Sequence, residues 1–264
     1  MNTFIKISAF LFLSIAFSGC LDMTTKVILK PDGSGTIEET TLMSEEAIKM
    51  LSSFSGDSTG QAFEIFSQEE LIKKAATFGK DVKFVSSEKI ERNGMKGIKA
   101  IFVFNDVSKI NLEGYSDNEM GGNDEEEKPD DETIKFAFEK GSPSTLEIIM
   151  PKPKESSEAE EQENASVDSS AAQMMEGLKN MLSKIKMAVY FEIDGKIIDT
   201  DASYRDGNEI TLVKLDFKNI FNDPKVFEKF KYASPKTLTE IEELVKDIPG
   251  IEIELKEKVF VKFE

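Results

Sequence analysis

The chain has no histidine, no tryptophan and one cysteine in 264 residues. Without histidine there is no Ser-His-Asp or Cys-His catalysis and no imidazole metal site. With a single cysteine there is no intramolecular disulfide and no thiolate cluster for zinc or redox work. Glycine-rich phosphate loops of the Walker or dinucleotide type are missing. Gly33-Ser34-Gly35 lacks the five-residue frame of a nucleophile elbow. Ser86-Ser87-Glu88-Lys89 matches Ser-x-x-Lys, but it lies in a predicted strand and not at a helix start. Positive charge is also scarce. Lysine and arginine total 33 against 50 acidic residues, a formal charge of −17, which excludes nucleic acid as a natural partner and disfavours broad contact with anionic lipid headgroups. A carboxylate-pair hydrolase remains open, because acidic residues are plentiful and their spacing in space is not visible here. The absence of tryptophan and the presence of four tyrosines make a sugar-stacking cleft a poor fit. No catalytic residue, metal ligand or cofactor is assigned.

What the chain does have is an apolar run over residues 7–17, behind Lys6 and the terminal amine. It has the length of a signal-peptide apolar region and is too short to span a bilayer, which takes roughly 20 apolar residues. Phe17-Ser18-Gly19-Cys20 closes it and resembles the lipobox of bacterial lipoproteins, with Phe17 in place of the usual leucine. The resemblance implies a signal peptide over 1–19, cleavage between Gly19 and Cys20, and diacylglycerol on the Cys20 thiol. The new Cys20 amine is often acylated too, with chains such as palmitate. Two or three chains give stable anchoring where one is marginal. The expected location is the bacterial cell envelope, with the membrane as partner through the lipid on Cys20. Leu21, in the place where aspartate retains lipoproteins at the inner membrane, favours the outer membrane in a Gram-negative source.

Two stretches concentrate the acidity. Residues 117–132 hold nine acidic side chains and one lysine, and residues 154–168 hold six and one. Both are poor in apolar residues, so both read as solvated segments, and Asp117-Asn118-Glu119-Met120-Gly121 does not match the spacing of a calcium loop. The chain thus divides into three regions: an N-terminal α+β half over 20–151, an acidic linker over 152–168, and a C-terminal α+β half over 169–264 that can form one domain with the first.

The periodicity predicts an α+β fold, a largely antiparallel sheet of hairpins with several amphipathic helices packed on it. Strands over 23–30 and 36–43 flank Pro31-Asp32-Gly33-Ser34-Gly35. Ser44 caps a helix carrying Ala47, Met50, Leu51 and Phe54 on one face. Ser67-Gln68-Glu69-Glu70 is a capping box, with Phe66 as staple against Leu71, a stripe of Leu71, Ala75 and Phe78, and Gly79 as the stop. Strands over 81–91 and 96–105 turn at Asn93-Gly94, the second apolar on both faces and therefore interior. Strands over 133–139 and 144–150 form another hairpin. Ser170 opens a helix with the stripe Met174, Leu178, Met181, Leu182 and Ile185, read as core rather than a binding surface. Strands over 186–194, 196–202 and 209–217 turn at Asp194-Gly195 and Asp206-Gly207-Asn208. A helix over 219–232 is interrupted near Pro224, and another starts at Ser234-Pro235. One terminal strand over 251–263 bends or bulges at Glu257.

The hairpin Val27-Ile28-Leu29-Lys30-Pro31-Asp32-Gly33-Ser34-Gly35, with Thr36-Ile37-Glu38 behind it, stands just after the cysteine. Together with Asp194-Gly195-Lys196-Ile197-Ile198-Asp199-Thr200-Asp201-Ala202 and Asp206-Gly207-Asn208, it is similar to segments of the LppM-like class of bacterial lipoproteins. The resemblance implies an α+β envelope domain and supplies no catalytic residues. The expected function is a membrane-anchored, non-enzymatic binding or scaffolding module with an envelope protein as partner. The alternatives are a carrier of a small lipid or glycan ligand and, after it, a carboxylate-based hydrolase.

Overall fold

Two sheets face each other across one main core. A computed structural model describes residues 21–54, 67–113, 133–151, 179, 182–231 and 238–264. The strands are β1 (Leu21–Leu29), β2 (Gly35–Met43), β3 (Lys83–Arg92), β4 (Met95–Phe104), β5 (Asn111–Glu113), β6 (Thr133–Glu139), β7 (Ser144–Ile149), β8 (Ile185–Ile193), β9 (Ile197–Thr200), β10 (Arg205–Asp206), β11 (Glu209–Asp216), β12 (Ile251–Ile253) and β13 (Lys258–Phe263). The helices are α1 (Glu45–Phe54), α2 (Gln68–Thr77), α3 (Lys218–Asn222), α4 (Pro224–Lys231) and α5 (Leu238–Val245). Among the described residues, the larger sheet runs β10-β11-β8-β1-β2-β4-β3, with β12 on β11, and the smaller runs β5-β6-β7-β13-β9. The class is α+β. The pairings are antiparallel except for β1 with β8, which run parallel. Each sheet takes strands from both sides of the acidic segment 152–168, since β1 pairs β8 and β13 pairs β7.

Local chemistry accounts for the hairpins. At the β3–β4 turn Asn93 and Gly94 both have positive φ, 53° and 75°, the combination a two-residue type I′ turn demands. Between β1 and β2 the Gly33 N–H donates to the carbonyl of Lys30 at 3.0 Å, with Gly33 at φ 93°. Caps also fall where side-chain chemistry places them. Ser44 Oγ accepts from the Ala47 N–H at 3.2 Å, and Ser67 Oγ from the Glu70 N–H at 3.3 Å. Gly79 stands just past α2 at φ 142°.

The core forms where the inner faces meet. Val27, Leu29, Ile37, Phe102 and Phe191 of the larger sheet are fully buried, as are Leu146, Ile148, Val259, Val261 and Phe263 of the smaller. The Phe136 and Phe191 rings bridge the layers at 5.3 Å. Leu71 and Ala75 of α2, with Phe78 beyond it, close one side of this core. The Phe102 ring meets those of Phe78 at 5.2 Å and Phe84 at 5.8 Å, both in T-shaped contact. A second, smaller cluster of Ile220, Val245, Ile248 and Ile251 sits among α3, α4 and α5.

Three sequence readings need correction. The strands joined at Asp194-Gly195 do not pair with each other, because β8 belongs to the larger sheet and β9 to the smaller. The turn is a crossing, held by Lys196 and Glu264, whose backbones exchange bonds of 2.7 and 3.1 Å. The terminal strand is two strands in different sheets, β12 on β11 and β13 between β7 and β9. Its break is a change of sheet rather than a bulge, and Glu254 marks it. That carboxylate is 2 % exposed and accepts from the Ser203 N–H at 2.7 Å, Ser203 Oγ at 2.9 Å and the Lys256 N–H at 3.2 Å. Finally, Ile185 opens β8 instead of extending the helical stripe. Strand β4 is interior, paired on both sides by β2 and β3, but of its two apolar faces Ile98, Ala100, Phe102 and Phe104 are buried, while Ile101 and Val103 are half-exposed. The 219–232 helix divides at Pro224 into α3 and α4, since proline lacks the N–H that would continue the first helix.

Candidate functional site

The residues expected to carry the anchor, Gly19 and Cys20, lie outside the described residues, as do the whole segment 1–19, the acidic stretches 117–132 and 154–168, Phe66, Ser170 and Ser234-Pro235. Leu21, next after Cys20, is the first residue of β1, paired with Met43 on one side and Ile185 on the other. The Cα of Cys20 is therefore about 3.8 Å from a residue fixed in the middle of the larger sheet. Among the described residues no helix is long and apolar enough to cross a membrane.

A cleft opens at this end of the fold. On the inner face, β1, β2 and β8 contribute matched rows set by their register. Val27, Ile37 and Phe191 form a fully buried row. The next row is Thr25, Glu39 and Val189, and the one after it Met23, Thr41 and Met187. Lys74 and Thr77 of α2, Phe78 and Leu112 of β5 face these rows across a space of about 110 Å³. The inner face thus changes from dry core to a mixed wall of hydroxyls, thioethers and one ion pair within two rows.

Lys74 Nζ stands 2.9 Å from a Glu39 carboxylate oxygen, and the Glu39 side chain is only 15 % exposed. Among the described residues, Glu39 is the one carboxylate lining the cleft. Hydroxyls at Thr25, Thr41 and Thr77 can donate and accept, and the sulfurs of Met23 and Met187 adapt to irregular apolar shapes. This chemistry suits recognition of a small amphipathic group. Among the described residues no group of three or more acidic or thiol side chains could hold a metal ion.

The outer face of the larger sheet is a lattice of ion pairs. Lys26 lies 2.9 Å from Glu192 and 2.5 Å from Glu209, Lys99 2.8 Å from Glu38, Lys214 2.5 Å from Glu252, and Lys186 3.0 Å from Asp216. Burial alone would lower the Lys26 pKa, but hydrogen bonds and charge from Glu209 and Glu192 outweigh it and raise it. Burial raises the Asp22 carboxyl, with Lys186 and Arg92 opposing and Asp216 adding to the rise.

The two segments that carry the family resemblance meet at the opposite end. Asp32 accepts from the Ser34 N–H at 3.0 Å and Ser34 Oγ at 2.7 Å, and these bonds hold its carboxyl below the usual value. Ser144 Oγ donates to the Pro31 carbonyl at 3.1 Å, and the Val107 N–H to the Gly33 carbonyl at 2.9 Å. Gly33 faces the Phe138 ring so closely that a Cβ would stand 2.6 Å from it. The Asp194 N–H donates to the Leu29 carbonyl at 2.8 Å, and Asn208 Nδ2 to the Gly195 carbonyl. Asp32-Gly33-Ser34-Gly35 is thus a structural corner that locks the first hairpin onto the smaller sheet. Ser86-Ser87-Glu88-Lys89 lies exposed within the edge strand β3.

Sequence reasoning missed the cleft, although β1 and β2 carried a signal. Their inward positions read Leu29, Val27, Thr25, Met23 and Ile37, Glu39, Thr41, Met43, so the apolar alternation fails at Thr25, Glu39 and Thr41. Lys74 and Leu112 gave no such sign, because they reach the site from other elements.

No family model matches the chain, and no curated protein matches it significantly. Among solved structures it is distantly similar to the folded domain of LppM from Mycobacterium tuberculosis, at 8% identity and a TM-score of 0.31 over 94% of this chain and 92% of that one.

Proposed function

We propose that the chain is a lipid-anchored protein of the bacterial envelope that acts as a binding module and not as an enzyme. In this reading residues 1–19 are a removed signal peptide, Cys20 carries the lipid, and an envelope protein is the partner. The observation that carries the reading is the place of chain entry. β1 begins with no linker after the cysteine, and the cleft opens one row inward from Leu21, so lipid and recognition surface share one end of the fold. In a Gram-negative source, Leu21 after the cysteine directs the protein to the outer membrane. The helices α2, α3, α4 and α5 belong to the amphipathic layer packed on the sheets.

The cleft favours a second reading, a carrier of a small lipid or glycan fragment. About 110 Å³ between the sheet and α2 gives room for part of such a ligand, with threonine hydroxyls for its polar groups and methionines for its apolar ones. One experiment separates the two. The lipidated protein is purified from its own membrane beside a Thr25→Phe, Thr41→Phe variant whose cleft is filled, and both are analysed for bound proteins and extractable small molecules. A protein partner retained by both supports the binding module. A lipid or glycan held by the first and lost from the second supports the carrier. Recovery of neither removes both readings.

A further inference from the structure

The end of the fold where the chain enters also carries α3 and α4. β11 runs antiparallel to β8 and β8 parallel to β1, so Asp216, Lys186 and Asp22 lie side by side in register. The Phe217 N–H donates to the Ile185 carbonyl at 3.2 Å, and Ile185 pairs with Leu21. Two strand spacings, roughly 10 Å, separate Leu21 from Phe217. α3 and α4 then begin at once.

Their charge is opposite to that of the chain. Residues 218–231 hold Lys218, Lys225, Lys229 and Lys231 against Asp223 and Glu228, within a chain of formal charge −17. Asp223 is engaged at the start of α4, where its carboxylate accepts from the Lys225 N–H at 2.9 Å. Lys218, Lys225 and Lys229 are exposed.

Phenylalanine recurs between these lysines. Phe217, Phe221 and Phe230 pack partly on the small cluster around Ile220. Phe227 stands outside that cluster, half-exposed, against Phe221 at 5.6 Å and under Lys179 Nζ at 4.9 Å. Short amphipathic helices with lysine on the polar side and phenylalanine beside it have the composition of segments that lie in a membrane interface.

We infer that α3 and α4 form a second membrane contact, seating the domain on an anionic phospholipid surface beside its lipid anchor. The contact rests on the proposal that Cys20 is acylated. It is confined to α3 and α4, because α5 exposes Glu240, Glu242 and Glu243, which an anionic surface repels. The scarcity of positive charge noted for the whole chain does not describe this corner.

The absence of tryptophan makes Phe227→Trp a single fluorescent reporter. The full lipidated protein is reconstituted into vesicles of phosphatidylcholine, or of phosphatidylcholine mixed with phosphatidylglycerol, each with brominated acyl chains as quencher. Emission is expected to shift to the blue and to be quenched about twofold more in the phosphatidylglycerol vesicles. Roughly 0.5 M salt should reverse the difference. A Glu139→Trp reporter at the far end should stay unquenched, and adding Lys218→Glu and Lys225→Glu to Phe227→Trp should abolish the quenching. Should Phe227→Trp fail to fold, the unsubstituted protein gives the same answer through reagent labelling of Lys218 and Lys225, which phosphatidylglycerol vesicles should suppress. Unquenched emission or unsuppressed labelling on vesicles, with Cys20 shown by mass to carry lipid, overturns the contact and leaves the anchor standing. An unacylated Cys20 overturns the anchor, and the contact with it.

Discussion

Gly97 sits in β4 with its Cα against the backbone of β2. A Cβ added there would meet the Thr41 carbonyl oxygen and stand 2.9 Å from the Leu42 Cα. Backbone in a paired strand cannot withdraw as a flexible side chain can. Gly97→Ala is therefore expected to lower stability by about 1–3 kcal/mol, read as a lower urea midpoint, and an unchanged midpoint would show that the two strands separate easily here. Asp22 predicts the opposite sign. Burial raises its folded-state carboxyl above the ordinary 3.8, so the unfolded chain releases that proton more readily than the folded one. Ionised Asp22 opposes folding at neutral pH, and the penalty lifts as pH falls through the raised value towards 3.8, below which both states are protonated. Asp22→Asn should thus raise the melting temperature at neutral pH and change it less near the ordinary carboxylate pKa. Equal shifts at both pH values would contradict the assignment to charge. Of these two residues, Gly97 could be seen in the sequence as a glycine within a strand, but the carbonyl it must clear could not.

At the scale of elements, β13 is the piece on which the smaller sheet depends. It pairs with β7 over six residues and with β9 on its other edge, and Val259, Val261 and Phe263 are fully buried. Removing residues 258–264 strips three large side chains from the main core and opens two inner strand edges. Deletions of single large core side chains cost about 2–5 kcal/mol each, so the truncated chain should show no cooperative melt. A melt at the temperature of the intact protein would overturn that role. The alternation of Val259, Val261 and Phe263 was legible as a strand buried on one face. Its partners were not, because alternation records that a face is buried and not which sheet buries it. The same limit explains β8 and β9, whose Asp194-Gly195 turn looks like a hairpin turn and serves as a crossing. α2 was readable from capping box to stop, since Ser67, Leu71, Ala75, Phe78 and Gly79 act on near neighbours.

For the whole molecule, if Cys20 carries the proposed lipid, its sequence position next to Leu21, the first residue of β1, leaves no tether, and the attachment of the first strand sets the orientation of the domain. Cys20→Ala is expected to give an uncleaved precursor with residues 1–19 still attached and no incorporated lipid, checked by metabolic lipid labelling and intact mass. Label that persists in this variant would sink the anchor. If the lipid holds the Leu21 end at the bilayer, the Asp32–Asp194 corner is the end farthest along the strands, about 25 Å away for a nine-residue strand.

Hairpins, caps and the isolation of the single cysteine came from the chain alone. Each depends on a steric or hydrogen-bonding rule acting over a few residues, such as positive φ at Asn93 and Gly94 or a serine oxygen three residues before its N–H. The parallel pairing of β1 with β8, the division of 251–263 between two sheets, the Glu39–Lys74 ion pair in the cleft and the basic corner beside Leu21 required the folded chain. They bring together residues far apart in sequence, as Leu21 and Ile185 are at 164 positions. Such pairings are chosen by which buried faces fit one another, a choice that no local pattern encodes.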